Sequence, residues 1–149
     1  MTSSLPHPVP NPDNAGFWEA GGRGELCLQR CTSCRSWRHP PRPMCPDCGS
    51  LDFAWERASG RGVVHTFTIV HRPTLPTFED RVPYNVVAVQ LDEGVFMVSN
   101  LVDCAPADIR IGMAVEVVFE PLTDEIALPK FRLRGAGPRA SGSQSTVES

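Results

Sequence analysis

The sequence predicts a mainly β protein: a short N-terminal helix, a metal-braced ribbon and a small closed barrel of five strands. Three observations predict it. Four of the six cysteines are arranged as two Cys-x-x-Cys pairs, Cys31/Cys34 and Cys45/Cys48, separated by ten residues. Runs rich in β-branched residues recur after Gly60, separated by turn signals. Fifteen prolines and twelve glycines in 149 residues favour short strands and turns over long helices.

Taken in order, residues 1–12 hold four prolines and no periodicity and are expected to be a flexible arm. Residues 13–60 are expected to hold the helix and the ribbon. Asp13 or Asn14 is placed to cap a helix over 15–20, with Phe17 and Trp18 as its large apolar residues and Gly21-Gly22 as its stop. Such a helix is too short to persist unless it docks. Cys27, alternating between Leu26 and Leu28, reads as a small apolar strand residue.

Residues 61–134 carry the barrel. GVVHTFTIVH (62–71) is the first strand and YNVVAVQL (84–91) the second, and Asp92-Glu93-Gly94 turns a hairpin into a third over 95–102. Val115, Val117 and Phe119 alternate with Glu116 and Glu120 in a fourth strand, and 127–133 makes a fifth with Phe131 and Leu133 facing in. Five short antiparallel strands are satisfied by a sandwich or by a closed barrel of the OB-fold type, and the long 72–83 loop favours the barrel, whose ligands use that connection. Residues 135–149 (GAGPRASGSQSTVES) bury nothing and are expected to be a disordered tail.

The cysteine spacing is the strongest chemical signal. Two tight turns converge to give four thiolates, a donor set that suits Zn²⁺ with Zn–S near 2.3 Å. Protein fills all four positions, so the expected metal is structural; iron in an electron carrier is the alternative for the same donors. Gly49 follows the second pair with a permissive backbone, whereas Arg35 follows the first. Cys104 has no nearby base and reads as a bland thiol.

Composition narrows the function. A net charge of −3 argues against a protein devoted to neutralising nucleic-acid phosphates. No run of 18 apolar residues and no signal-peptide pattern occur, so a cytoplasmic protein with no membrane segment is expected. His65 and His71 are six apart and share one face on an unbulged strand with Phe67 and Ile69, which makes His65 a core or rim residue. His71, opening His71-Arg72-Pro73 at the mouth of the long loop, is the better functional candidate. No Gly-x-Ser-x-Gly elbow, phosphate-binding loop, dinucleotide fingerprint or His-Glu-x-x-His occurs, and no catalytic set can be assembled. Arg23, Arg30, Arg35, Arg38 and Arg42 make 21–50 weakly basic, and arginines beside Trp37 offer bidentate phosphate contacts or simply solvated surface.

Phe17-Trp18-Glu19, Gly24-Glu25-Leu26, Gln29-Arg30-Cys31-x-x-Cys34, Pro40-Pro41-Arg42-Pro43-x-Cys45-Pro46-x-Cys48-Gly49 and Ser59-Gly60-Arg61-Gly62 together resemble the zinc-ribbon and OB-fold proteins called domain of unknown function 35. TIVHRP (68–73), Val82-Pro83-Tyr84, Ile111-Gly112-Met113 and Leu128-Pro129-Lys130-Phe131 fit the same pattern, over about 13–134. The resemblance implies a rubredoxin-like ribbon joined to an OB-fold. It also implies a non-catalytic accessory subunit of thiolase-fold enzymes, thiolases or sterol-carrier-type aldolases, in lipid or steroid side-chain catabolism.

On that reading the chain binds a partner homodimer as a hetero-oligomer and helps hold a CoA thioester, a ligand rather than a cofactor. Phe17 and Trp18 are candidate partner contacts, packing on the chain's own ribbon being the alternative. Arg42, His71, Arg72 and Lys130 are candidate CoA contacts. A single-stranded nucleic-acid-binding OB module and a stand-alone acyl-CoA-processing enzyme are the rival readings. The acyl group and the partner's reaction are not encoded in this chain.

Overall fold

Two hydrophobic patterns, one interrupted by paired cysteines and one by long loops, build two sheets around a shared core. The computed structural model describes residues 8–73 and 75–134. Most of the proline-rich arm (1–7) and the 135–149 tail lie outside them. Helix α1 (Ala15–Gly22) leads into a three-stranded antiparallel sheet of β1 (Cys27–Cys31), β2 (Trp37–Arg38) and β3 (Phe53–Arg57), in the order β2-β1-β3. The second sheet contains β4 (Arg61–Val70), β5 (Tyr84–Leu91), β6 (Phe96–Ser99), β7 (Ala114–Pro121) and β8 (Ala127–Leu133), in the order β6-β5-β4-β7-β8.

This order curls into the five-stranded OB arrangement. Its ends meet where Leu101 bridges Phe131 in parallel: the Phe131 N–H donates to the Asn100 carbonyl at 3.0 Å and the Val102 N–H to the Phe131 carbonyl at 2.8 Å. Val64, Val87, Val89, Val115 and Phe131, each no more than 1% exposed, fill the barrel, and Leu26, Leu28 and Phe17 extend the same core into the ribbon. The expected strands recur to within a few residues; the third is shorter, ending at Ser99.

Helix α1 wedges between β1 and β8. It runs through Gly21 and Gly22 rather than stopping before them, and Gly21 is buried in the packing against β7 and β8, where a Cβ would lie against the Phe119 ring and the Ala127 carbonyl. Asn14 occupies the N-cap position without capping the helix; its Oδ1 instead accepts the Asn11 N–H at 2.7 Å. The β-bulge between Val64 and Thr66 corrects the expected face-sharing of the first strand. His65 is the extra, exposed residue, edge-on to Phe96 with ring centroids 4.8 Å apart, while Phe67 and Ile69 are half-buried. No helix among the described residues is long and apolar enough to cross a membrane.

Candidate metal centre and ligand groove

The two Cys-x-x-Cys turns have the same local chemistry. In the first, the Arg35 N–H donates to the Cys31 carbonyl at 3.0 Å and the Cys31 N–H to the Ser36 carbonyl at 2.8 Å. In the second, the Gly49 N–H donates to the Cys45 carbonyl at 2.9 Å and the Cys45 N–H to the Ser50 carbonyl at 2.8 Å. Backbone N–H groups of Ser33 and Cys34 point at Cys31 Sγ, and that of Asp47 at Cys45 Sγ, each at 3.4 Å.

All four sulfurs lie within 4.8 Å of one another, with Cys31–Cys48 and Cys34–Cys45 at 3.6 Å. A tetrahedral ion with bonds near 2.3 Å sets its sulfurs about 3.8 Å apart, so the donor set fits zinc. Thiolate formation is favoured unevenly. The Cys34 N–H, ahead of the other bonds, brings Cys31 down to about 6, and the Cys48 N–H lowers Cys45. For Cys48 the Ser50 N–H favours the thiolate, but its contact with Cys31, burial, and contacts with Cys34 and Cys45 together push it up to about 12. Four thiolates at this spacing need a cation among them.

The ribbon uses most of its arginines structurally. Arg30 donates from Nε to the Arg35 carbonyl at 2.8 Å, lies over the Trp37 ring at 4.6 Å and pairs with Glu56 at 3.3 Å. Arg38 is 2% exposed, stacked over Phe53 and bonded to the Arg42 carbonyl at 2.8 Å. Gln29, fully buried, donates to the Asp13 carbonyl at 3.1 Å and accepts the Arg42 N–H at 2.8 Å, tying the helix entry to the cysteine-pair linker. These roles explain why a weakly basic stretch offers few free cations.

A groove of about 630 Å³ opens at one end of the barrel, between the 72–83 loop, the segment after β6 and the ends of β7 and β8. Phe78 and Tyr84, ring centroids 5.7 Å apart, and Pro83 form an apolar wall, and Arg81 and Lys130 bring positive charge. Lys130 is held from two sides: Nζ donates to Asn100 Oδ1 at 2.7 Å and lies 3.6 Å from Glu120. Asn100 is itself anchored, its amide donating to the Asn85 carbonyl, while Asn85 Oδ1 accepts the Leu101 N–H at 2.6 Å. Cys104 lines the same groove, where burial raises its pKa and Asp108 adds to the effect.

Of the four candidate CoA residues, only Lys130 lines this groove; Arg42, His71 and Arg72 are exposed outside it. Arg81, Asn85 and Asn100 escaped the sequence reading. Arg81 lay in a loop already marked by its length, while a polar asparagine inside a β-branched run carries no sequence signal of an anchoring role. Phe17 is 7% exposed and packed in the chain's own core, edge-on to Trp18 at 4.9 Å. Trp18 is half-buried and lines a second groove on the far side of Lys130.

The outward face of β4, β5 and β6 aligns Val63, Gln90 and Phe96, then Thr66, Ala88 and Val98, then Thr68 and Val86. Among the described residues of these three strands the Lys/Arg cation on this face is Arg61, which opens β4 opposite Glu116, so the face lacks the continuous basic groove that tracks a nucleic-acid strand.

Comparisons with known proteins agree with this geometry. The ribbon matches the family model described as ChsH2, rubredoxin-like zinc ribbon domain over residues 18–54, and the barrel that of ChsH2, C-terminal OB-fold domain over 55–120. A solved chain described as Ltp2-ChsH2(DUF35) aldolase superposes with a TM-score of 0.77 at 43% identity, covering 85% of this chain and 98% of that one. A DUF35 domain-containing scaffold protein of Methanothermobacter thermautotrophicus is 37% identical over 106 residues, 69% of this chain and 77% of the relative. A probable enoyl-CoA hydratase alpha subunit of Thermomonospora curvata is 44% identical over 127 residues, 85% of this chain but only 39% of that longer protein. The chain spans about two fifths of that relative's length. With family models matched over 18–120 and a scaffold relative and a solved chain each matched over most of their own length, this chain belongs to the ChsH2/DUF35 zinc-ribbon and OB-fold family.

Proposed function

We propose that this chain is a non-catalytic accessory subunit that docks on a thiolase-fold homodimer as part of a hetero-oligomer and holds the CoA portion of an acyl-CoA thioester. One observation carries the ligand part: a loop-built groove with an apolar ring wall and two cations, one fixed by Asn100 and Glu120. Arg81 and Lys130 would take the phosphates as charge-assisted bonds, with the adenine against Tyr84 and Phe78. Arg42, His71 and Arg72 would then act at most from outside the groove.

The partner reading draws on the names of similar proteins, a scaffold protein and an aldolase named for two components. Relatives named as hydratase alpha subunits, including 3-oxo-4,17-pregnadiene-20-carboxyl-CoA hydratase alpha subunit of Mycobacterium tuberculosis, support acyl-CoA chemistry in lipid or steroid catabolism. Cys31, Cys34, Cys45 and Cys48 would hold a structural zinc that braces the ribbon on which α1 docks. Trp18, on the face where α1 meets the barrel, is the remaining aromatic contact for the partner, since Phe17 is committed to the internal core.

Co-expression with a thiolase-fold subunit and calorimetry on the purified complex test this reading. Co-elution, with CoA binding weakened by Arg81→Ala, is the expected result. A chain that elutes alone, or turnover of acyl-CoA by the isolated chain, would overturn it.

A further inference from the structure

The barrel does not close along its full height. Its ends meet at Phe131, which takes Asn100 and Val102 as main-chain partners. One step back along β8 stands Pro129, which has no N–H to give, and its carbonyl accepts the Ser99 hydroxyl at 2.6 Å. The part of β6 before Asn100 is therefore left with a strand on one side only. Alternation identifies the open groups. The Leu91 N–H donates to the Val95 carbonyl at 2.9 Å, so Val95, Met97 and Ser99 turn their main-chain groups toward β5, opposite Leu91, Val89 and Val87. Phe96 and Val98 turn theirs away. Among the described residues, no main-chain hydrogen bond outside the β5 ladder reaches either residue.

This edge is also unguarded. FMVS (96–99) holds none of the lysines, prolines or bulges that blunt natural sheet edges. A groove of about 350 Å³ borders it, lined by Met97 and Val98 together with Trp18, Pro41 and Pro129. The Phe96 and Val98 side chains, 44% and 70% exposed, stand on the outward face beside Gln90 and Ala88. Across β4, β5 and β6 the one Asp, Glu, Lys or Arg is Arg61, at the start of β4. A charge brought against Phe96 and Val98 would lose water with nothing there to pair with. We propose that β6 is where the partner subunit attaches, through an extended, uncharged segment of the partner's chain that adds a strand along 96–98. This rests on the accessory-subunit reading above and adds the place and the chemistry of the contact. Main-chain bonds hold the added strand, and its alternate side chains lie on Phe96 and Val98 or turn toward Trp18 and Pro41.

Size-exclusion chromatography, titration and amide hydrogen exchange on the complex with a thiolase-fold subunit test it. The Phe96 and Val98 amides are expected to exchange freely in the isolated chain and at least tenfold more slowly in the complex. Val98→Pro removes an outward N–H without touching the β5 ladder, and Val98→Lys keeps the N–H but sets a charge on the uncharged face. Each is expected to weaken partner affinity at least tenfold with zinc content unchanged. Because Val98 is 70% exposed, the lysine variant should keep the native thermal midpoint and carries the test if the proline variant unfolds. Amides that do not slow, or a Val98→Lys chain that binds within twofold of the native one, overturn the edge contact and leave the accessory reading standing. Slow exchange already in the isolated chain, whether as a dimer or as a monomer, overturns the partner as the occupant. Absence of any complex with the native chain overturns both readings.

Discussion

Arg35 holds the same left-handed backbone as Gly49, φ 68° against 79°, each at the residue following the second cysteine of its turn. The cysteine turn imposes this conformation whatever the side chain. For arginine it costs about 1–2 kcal/mol that glycine does not bear. The pair Arg35–Glu56 at 3.3 Å, with the arginine side chain 57% exposed, returns only a few tenths. Glycine in turn loses about 0.5–1 kcal/mol through the freer unfolded chain. Arg35→Gly is therefore expected to be neutral to stabilising by up to about 1 kcal/mol, whereas Gly49→Ala destabilises by about 1 kcal/mol. Denaturant titration at fixed zinc concentration checks both, and a loss of 2 kcal/mol or more in Arg35→Gly would contradict the conformational argument.

Metal removal is expected to unfold the ribbon first. Structural zinc supplies on the order of 10–16 kcal/mol apparent folding energy in zinc-finger peptides, and the two- and five-residue strands here cannot hold a sheet unaided. Elemental analysis should find one zinc per chain, and none in Cys45→Ser. A strong chelator should release α1 with the ribbon, read as a change in tryptophan emission, because Trp18, Trp37 and Trp55 all sit in this region. A coloured, redox-active protein would instead identify iron.

His39 gives the fold an acid-sensitive contact. Burial, then the positive charge of Arg42, pushes its pKa down from 6.5 to about 4, and its ring lies 5.6 Å from that of Phe17. The unfolded chain therefore binds a proton at higher pH than the folded one. The stability contributed by neutral His39 is complete above 6.5 and is lost as pH falls toward 4. Between pH 6.5 and 5.5 this amounts to about 1 kcal/mol. His39→Phe, which keeps an aromatic ring against Phe17, should flatten that part of the stability profile; an unchanged slope would show that His39 is not its source.

The legible parts of this molecule were those where chemistry fixes residue spacing. Paired cysteines announced the ribbon, and the β-branched runs from Gly62 and Tyr84 announced the barrel. Strand β3 was missed because Phe53–Arg57 has no clear alternation and is ordered by pairing along the whole of β1. The His65 bulge was missed because nothing in GVVHTF distinguishes an extra residue from a regular one. The groove was half legible: loop length marked the Arg81 side, but Asn85 and Asn100 acquire their roles only when β5 and β6 meet β8.

Gly62 tests the close approach of β4 and β5. A Cβ there would overlap the Gln90 carbonyl and come within 2.8 Å of a Val89 methyl, and neither can move without disturbing the barrel. Gly62→Ala is expected to cost about 1–3 kcal/mol, as overpacking of a tight core does. Gly94→Ala meets no neighbouring atom, so its cost comes from its φ of 97° alone and should be smaller. Equal losses in thermal unfolding would contradict the steric account.

The two cations of the groove should separate from the exposed candidates in calorimetry. Lys130 is 18% exposed in its side chain and already positioned by Asn100, so it meets a phosphate with little ordering left to do. A charge-assisted bond of about 1.5–3 kcal/mol corresponds to roughly 10- to 100-fold in CoA affinity. Lys130→Ala and Arg81→Ala are each expected to weaken binding by at least tenfold. Asn100→Ala, which leaves the ammonium but frees it, should cost less. Arg42→Ala and Arg72→Ala remove exposed side chains outside the groove and should change affinity by less than twofold. If Arg72→Ala weakens CoA binding and Lys130→Ala does not, the nucleotide lies along the long loop's outer edge and the groove belongs to some other ligand.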